Sequence, residues 1–282
     1  MNPRIEILDL RPMPAHERHE KIFQVWNNLK SGETLKIIND HDPRPLRYNF
    51  ATNHEGEFLV IMKADTPWDS FRDFLLDTEP IRFRDPLAET LGVFKNENAV
   101  LEYSFLDVVK LAGHACPTTA AAYLCCQKAL MRLYLDEIPT RGDIAITVYG
   151  EPDEGVYGVI SQIFTLLTGA ASATGFRGLG PKFKRKDLLK FSPEKIDPGA
   201  QCFKFQRLDN KKTVTVKLYP DKIPFPAEKA KRLQTLMPKV IWEAAKKDER
   251  IEFQNLWMEK VREMLVEEKD IDRWLNIEKT EA

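Results

Sequence analysis

Cysteine is scarce in this chain, with 4 in 282 residues. Two of them, Cys125 and Cys126, are adjacent on an expected helix, where they point to different sides and cannot easily bridge each other. That excludes a disulfide framework and makes a reducing compartment the natural setting. An excess of one charge is also lacking. The formal net charge of -1 gives no pull toward nucleic acid or an anionic membrane, and we expect neither as a partner. The opening residues, Met1-Asn2-Pro3-Arg4-Ile5-Glu6, hold no apolar signal core, so the expected location is cytoplasmic. One uncharged run, residues 156–176, is just long enough to span a bilayer. It contains Ser161, Gln162, Thr165, Thr168, Ser172 and Thr174 as well as glycines, which makes it weakly apolar. We read it as a buried helix followed by a loop. No internal repeat and no low-complexity tract is visible.

A hydrophobic share of 43% and a charged share of 30% are those of a globular protein that can bury real cores, and the length suits two domains. The expected fold class is α/β. Residues 1–66 read as a small β-α-β-α-β domain. Its strands lie at 5–10, 34–38 and 58–62. Its first helix, 14–29, carries Ile22, Val25, Trp26 and Leu29 on one stripe and ends at Ser31-Gly32. Asp42 and Pro43 suit the start of a second helix. Residues 67–98 are polar and broken by Thr66-Pro67, Glu79-Pro80 and Asp85-Pro86, which suggests a connector.

Residues 99–282 read as a second domain with C-terminal helices. We expect a strand at 99–103, a short helix at 105–111 and a helix at 117–135 that is apolar nearly all round and therefore central. A strand at 144–149, a helix at 156–167 and a hairpin of 203–208 with 213–218 around Asp209-Asn210 follow. A helix at 226–247 should kink at Pro238. The last helix, from about 251, carries Phe253, Trp257, Val261, Met264 and Leu265 on one face, with Ile271, Trp274 and Leu275 continuing the apolar supply.

The sharpest chemical feature is Gly113-His114-Ala115-Cys116-Pro117. Pro117 fits the first position of a helix, which puts Cys116 at the N-cap beside unpaired backbone N–H groups. A helix N-terminus favours thiolate, which is both the nucleophile and the metal ligand. His114 lies two residues earlier, near enough to bind the same ion or to hydrogen-bond the sulfur. A buried cysteine beside a capping histidine is the plainer alternative. Cys125 and Cys126 lie roughly 14 Å along the helix axis from Cys116 and are expected in the core. Further ligands could come from the acidic turn Glu151-Pro152-Asp153-Glu154, whose residues otherwise suit a solvated loop. Two weaker features are the polar run 39–46 with His41, near His16 and His19, and the glycine-rich basic stretch 175–186. The basic stretch can cradle an anion but lacks the Walker pattern.

Residues 105–190 resemble the FmdE family, named after a component of formylmethanofuran dehydrogenase. The resemblance lies in Gly113-His114-x-Cys116-Pro117, in Arg141-Gly142-Asp143 before a strand, and in Leu167-Thr168-Gly169. It implies an α/β fold, a tendency to dimerise, and a metal, often zinc, near His114 and Cys116. Members commonly have a cysteine after the central strand and another after Leu-Thr-Gly. Here those places read Glu151-Pro152-Asp153-Glu154-Gly155-Val156 and Ala170-Ala171-Ser172. Residues 5–65 look like a domain related in fold to the TusA/SirA sulfur carriers, through Leu8-Asp9-Leu10-Arg11, Glu17-Arg18-His19-Glu20 and the 39–46 run. The Cys-Pro that carries sulfur in that family is absent.

The expected function is therefore a metal-binding, FmdE-like accessory or enzyme-like protein. It would hold a divalent transition metal, zinc foremost, through His114 and Cys116, with Glu151, Asp153 and Glu154 as weaker candidates. Haem is a variant, since Cys or His can be an axial ligand. The alternatives are a metal-free thiol protein acting through Cys116, and a non-catalytic interaction or sensing module. The apolar face of the last helix, partly covered by Leu233, Leu236, Val240 and Ile241, points to a homodimer built on the second domain.

Overall fold

The computed structural model describes residues 5–10, 12–38, 72–75, 78–96 and 99–280. The chain divides into two compact units, Met1–Asp73 and Phe74–Ala282, and both mix helices with strands. Among the described residues no helix is long and apolar enough to cross a membrane.

In the first unit, β1 (Ile5–Asp9) and β2 (Thr34–Ile38) pair in parallel, joined by α1 (Ala15–Trp26). A parallel pair needs such a crossover, because a tight turn cannot return the chain to the same end. Leu10 and Ile22 are the fully enclosed residues, packed by Leu8, Met13, Phe23, Trp26, Leu35 and Ile37. Of the stripe expected on α1, Ile22 and Trp26 pack in that cluster, joined by Phe23. The expected helix after Pro43, the strand at 58–62 and the 39–46 run with His41 lie outside the described residues. His19 stands exposed on α1.

The second unit begins earlier than the prolines suggest. Residues 78–96, expected as connector, are folded into it. β3 (Ile81–Phe83) pairs antiparallel with β4 (Leu101–Tyr103). The prolines here start structure instead of separating it: Pro86 is the first residue of α2 (Pro86–Thr90), with Asp85 as its N-cap. The Glu79 carbonyl accepts from the Tyr123 hydroxyl at 2.6 Å, which ties this segment to the central helix.

That central helix is α4 (Pro117–Tyr134), preceded by α3 (Phe105–Ala112). α4 lies on a five-stranded sheet of order β6-β5-β7-β8-β9, made of Leu189–Ser192, Ile144–Tyr149, Gln201–Arg207, Thr213–Leu218 and Leu275–Thr280. Only the β5–β6 pair is parallel. Alternate residues Ile144, Ile146, Val148, Phe203, Phe205, Val214 and Val216 are buried. α5 (Tyr157–Thr168) lies within the uncharged run and sets Phe164 edge-on to Phe203 and Phe205, each at 5.1 Å. Burying a side chain of this size contributes about 1.5–3 kcal/mol. The alanines of α4 at 120, 121, 122 and 129 are all buried, and their small size allows close packing on more than one side.

α6 (Ala227–Ile241) contains Pro238, and α7 (Lys247–Leu265) follows it. Val261, Met264 and Leu265 are buried within the chain, as are Leu233 and Leu236 of α6. The face expected to meet a second copy is thus largely covered internally. The apolar residues after it do not extend the helix. Polar residues 267–270 break it, with Glu268 and Asp270 at positive φ, and a short α8 (Ile271–Trp274) leads into strand β9.

Candidate functional site

The Gly113–Pro117 turn links two helices. Gly113 caps α3 at φ 74, a left-handed conformation that glycine adopts without a Cβ clash. Cys116 is the N-cap of α4, with extended backbone and Pro117 next. Its Sγ accepts from the Thr119 N–H at 3.4 Å, and its own N–H donates to Thr119 Oγ1 at 3.0 Å. The Trp257 indole of α7 donates to the Ala115 carbonyl at 2.9 Å, and Phe253 stacks on Trp257 at 5.6 Å. The turn is therefore held at its middle residue by a helix distant in sequence.

His114 is exposed, and Cys116 is half-buried. His114 Nδ1 lies 2.9 Å from the Ala112 carbonyl oxygen. A carbonyl can only accept, so Nδ1 carries the proton in this contact and Nε2 of the neutral ring keeps its lone pair. The other cysteines are buried. Burial pushes the thiols of Cys125 and Cys126 well above their ordinary range. Cys202 on β7 is pushed up to about 11, first by burial and then by Asp197. All three act as core side chains.

Glu151, Asp153 and Glu154 are exposed on the turn after β5. Glu154 is engaged locally: it accepts from the Glu151 N–H at 3.3 Å and pairs with Lys195 at 3.3 Å. These contacts, the backbone bond first, hold its carboxyl below the usual range. Among the described residues no three His, Cys, Asp or Glu side chains come together to hold an ion. One copy of the chain thus supplies two ligand types at this turn.

A second cluster escapes sequence reasoning. Asp85, with its side chain 5% exposed, accepts from Arg185 Nη2 at 2.8 Å and from Arg141 Nη1 at 3.2 Å. It also accepts from the N–H groups of Leu87 and Ala88. Arg141 donates onward to the Leu166 and Leu167 carbonyls at the end of α5. The guanidinium of Arg185 lies against Gly142 and Gly169, where a Cβ on Gly142 would come within 1.5 Å of Nη1. The Arg141-Gly142 and Leu167-Thr168-Gly169 motifs therefore meet around one buried arginine. Burial lowers the Arg185 pKa, Asp85 raises it, and Arg141 lowers it again. Its Nη1 has no hydrogen-bond partner among the described residues. The basic stretch 175–186 thus sends Arg185 inward, while Arg177, Lys182 and Lys184 remain exposed. The only local signal was Asp85-Pro86, the usual start of a helix.

A family model described as an uncharacterized conserved protein (DUF2249) matches residues 7–69. The match falls inside the first unit and accords with a small N-terminal domain. No curated protein matches the chain.

Proposed function

We propose that the second unit is an FmdE-like metal-binding module, an accessory or enzyme-like protein, in which His114 and Cys116 hold a divalent transition metal, zinc foremost. The observation that carries this reading is the bond between His114 Nδ1 and the Ala112 carbonyl. Metal-bound histidines usually donate their other ring N–H in this way, which fixes the tautomer and leaves Nε2 for the ion. The exposed imidazole and the adjacent sulfur offer the soft donor pair that zinc accepts. Water, the acidic turn of Glu151, Asp153 and Glu154, or a second copy would complete the set. Bound there, zinc supplies Lewis-acid polarisation of an oxygen ligand. The first unit we read as a TusA/SirA-like domain that binds rather than carries sulfur, since it lacks cysteine.

Elemental analysis of full-length protein purified without a histidine tag tests the metal. Stoichiometric zinc is expected, lost in both His114→Ala and Cys116→Ser with unchanged circular dichroism. Metal content unchanged in both variants, or no metal in the wild type, defeats the reading. An absorption spectrum without a Soret band disposes of the haem variant.

A further inference from the structure

We propose that Arg141 and Arg185 together bind a small monovalent anion of halide size, chloride foremost, on the face of Gly169. This inference is independent of the metal reading.

Charge does not balance in the Asp85 cluster. Two guanidiniums meet one carboxylate, which accepts from Arg185 Nη2 at 2.8 Å and from Arg141 Nη1 at 3.2 Å. One positive charge is left over, and solvent barely reaches it: the Arg185 side chain is 8% exposed. The neighbouring charges do not correct the excess. Arg84 and Glu89 form their own pair at 3.7 Å, and Lys184 and Asp187 form theirs at 3.1 Å. Tyr103 sets its ring face toward Arg141 at 5.4 Å, which adds a quadrupole but no charge. Buried charge is tolerated when it is paired, so an uncompensated cation calls for a counter-ion.

The unmet demand falls on Arg185. Arg141 is well engaged, because its Nε and Nη2 also donate to the Leu167 and Leu166 carbonyls. Arg185 makes one side-chain hydrogen bond among the described residues, from Nη2 to Asp85 Oδ1. Its Nη1 is sealed from solvent and donates to no group among them. A guanidinium only donates, so only an acceptor can satisfy that nitrogen. Asp85 Oδ1 has no spare capacity for it, since the Leu87 and Ala88 N–H groups bond there as well. Nor is Arg185 free to swing outward. Its N–H donates to the Phe176 carbonyl at 2.9 Å, and its carbonyl accepts from the Ala171 N–H at 3.0 Å.

The two Nη1 atoms converge on one place. The point one bond off the Gly169 α-carbon, where any other residue has its Cβ, lies 2.9 Å from Arg185 Nη1 and 3.3 Å from Arg141 Nη1. Gly169 caps α5 at φ 76, and its lack of a side chain leaves this face to the two guanidiniums. An anion resting against it accepts from both. The burial of Nη1 requires a small ligand, the excess of one charge requires a single negative charge, and the donors require an acceptor. A halide meets all three conditions. Water also accepts, but it leaves the excess charge in place.

Urea unfolding of the full chain at constant ionic strength, with chloride exchanged stepwise for gluconate, tests the site. An ion held only by the folded protein raises the folded-to-unfolded ratio about tenfold for each tenfold rise in its concentration above the dissociation constant. The wild type should show that rise. Arg185→Met leaves Asp85 and Arg141 as a balanced pair and should abolish it. Bromide-soaked wild-type crystals should give an anomalous-scattering peak beside Arg185 Nη1. A wild type indifferent to chloride overturns the proposal, even with a bromide peak, which then marks an adventitious ion only. Equal chloride dependence in the wild type and Arg185→Met overturns it too. Should Arg185→Met fail to fold, the crystals decide for a chloride-dependent wild type: a bromide peak at Nη1 supports the site, and its absence overturns it.

Discussion

The Asp85–Arg141–Arg185 cluster and the His114–Cys116 turn both sit where a loop meets a helix start, and they are built in opposite ways. The first is buried and assembled from residues 56 and 100 positions apart. Asp85 Oδ1 is shared among the N–H groups of Leu87 and Ala88 and the Arg185 guanidinium, and its Oδ2 accepts from Arg141. The second is local and open to solvent, and its strongest outside tie is the Trp257 bond to Ala115. Desolvated charge held among several partners is the mark of a structural lock. An exposed imidazole beside a half-buried thiol, with few partners, is the mark of a group kept available for chemistry.

The largest expected effect comes from breaking the lock. Asp85→Asn removes the carboxylate that, among the described residues, pairs with both arginines, and leaves the buried Arg185 beside Arg141 uncompensated. Removing one partner of a buried ionic group costs about 3–5 kcal/mol. Urea denaturation should show that loss, and Arg185→Met in the same chain should recover part of it by removing the excess charge. His114→Ala, at an exposed site, should change stability by no more than about 0.5 kcal/mol. If both single variants destabilise equally, the distinction between lock and available site is lost.

A smaller effect tests how the turn is held. Trp257→Phe keeps the stacking partner of Phe253 and deletes the bond to the Ala115 carbonyl. One such bond is worth about 1 kcal/mol. The more telling readout is Cys116 alkylation, followed residue by residue by mass spectrometry. Its rate should rise several-fold while Cys125, Cys126 and Cys202 stay protected by burial. An unchanged Cys116 rate means that the capping bonds at Thr119 alone hold the turn.

The same contrast explains what was legible in the sequence. The helix start at Cys116-Pro117 is written in adjacent residues, as are the bounds of β2, β5 and β8, whose alternation is self-contained. The hairpin around Asp209-Asn210 is equally local. By contrast, β9 carries only Leu275 and Ile277 as a period-two signal, and these merge with the apolar residues of the helix before them. Its identity comes from pairing with Thr213–Leu218, about 60 residues earlier. The Asp85 cluster depends on three segments meeting. Proline punctuation at Glu79-Pro80 and Asp85-Pro86 suggests a linker when only neighbouring residues are considered. Of the site itself, the sequence carries His114 and Cys116. The tautomer that presents Nε2 depends on the path of the chain at Ala112.

The smallest predicted effect has the most specific sign. Sulfur is a poor cap: Cys116 Sγ accepts from Thr119 N–H at 3.4 Å, a long contact to a weak acceptor. Serine is among the best N-cap residues because its oxygen accepts the same bond strongly. Cys116→Ser leaves Pro117, Thr119 and the left-handed Gly113 in place, and the replacement is slightly smaller at a half-buried position. If the thiol is retained for its chemistry, the variant should unfold at higher urea, gaining about 0.5–1 kcal/mol, while losing metal and alkylation at this position. The natural residue would then be the less stable choice at its own helix start. A variant that loses stability would show that the sulfur is there for packing, which would place the turn with the Asp85 cluster as structure rather than chemistry.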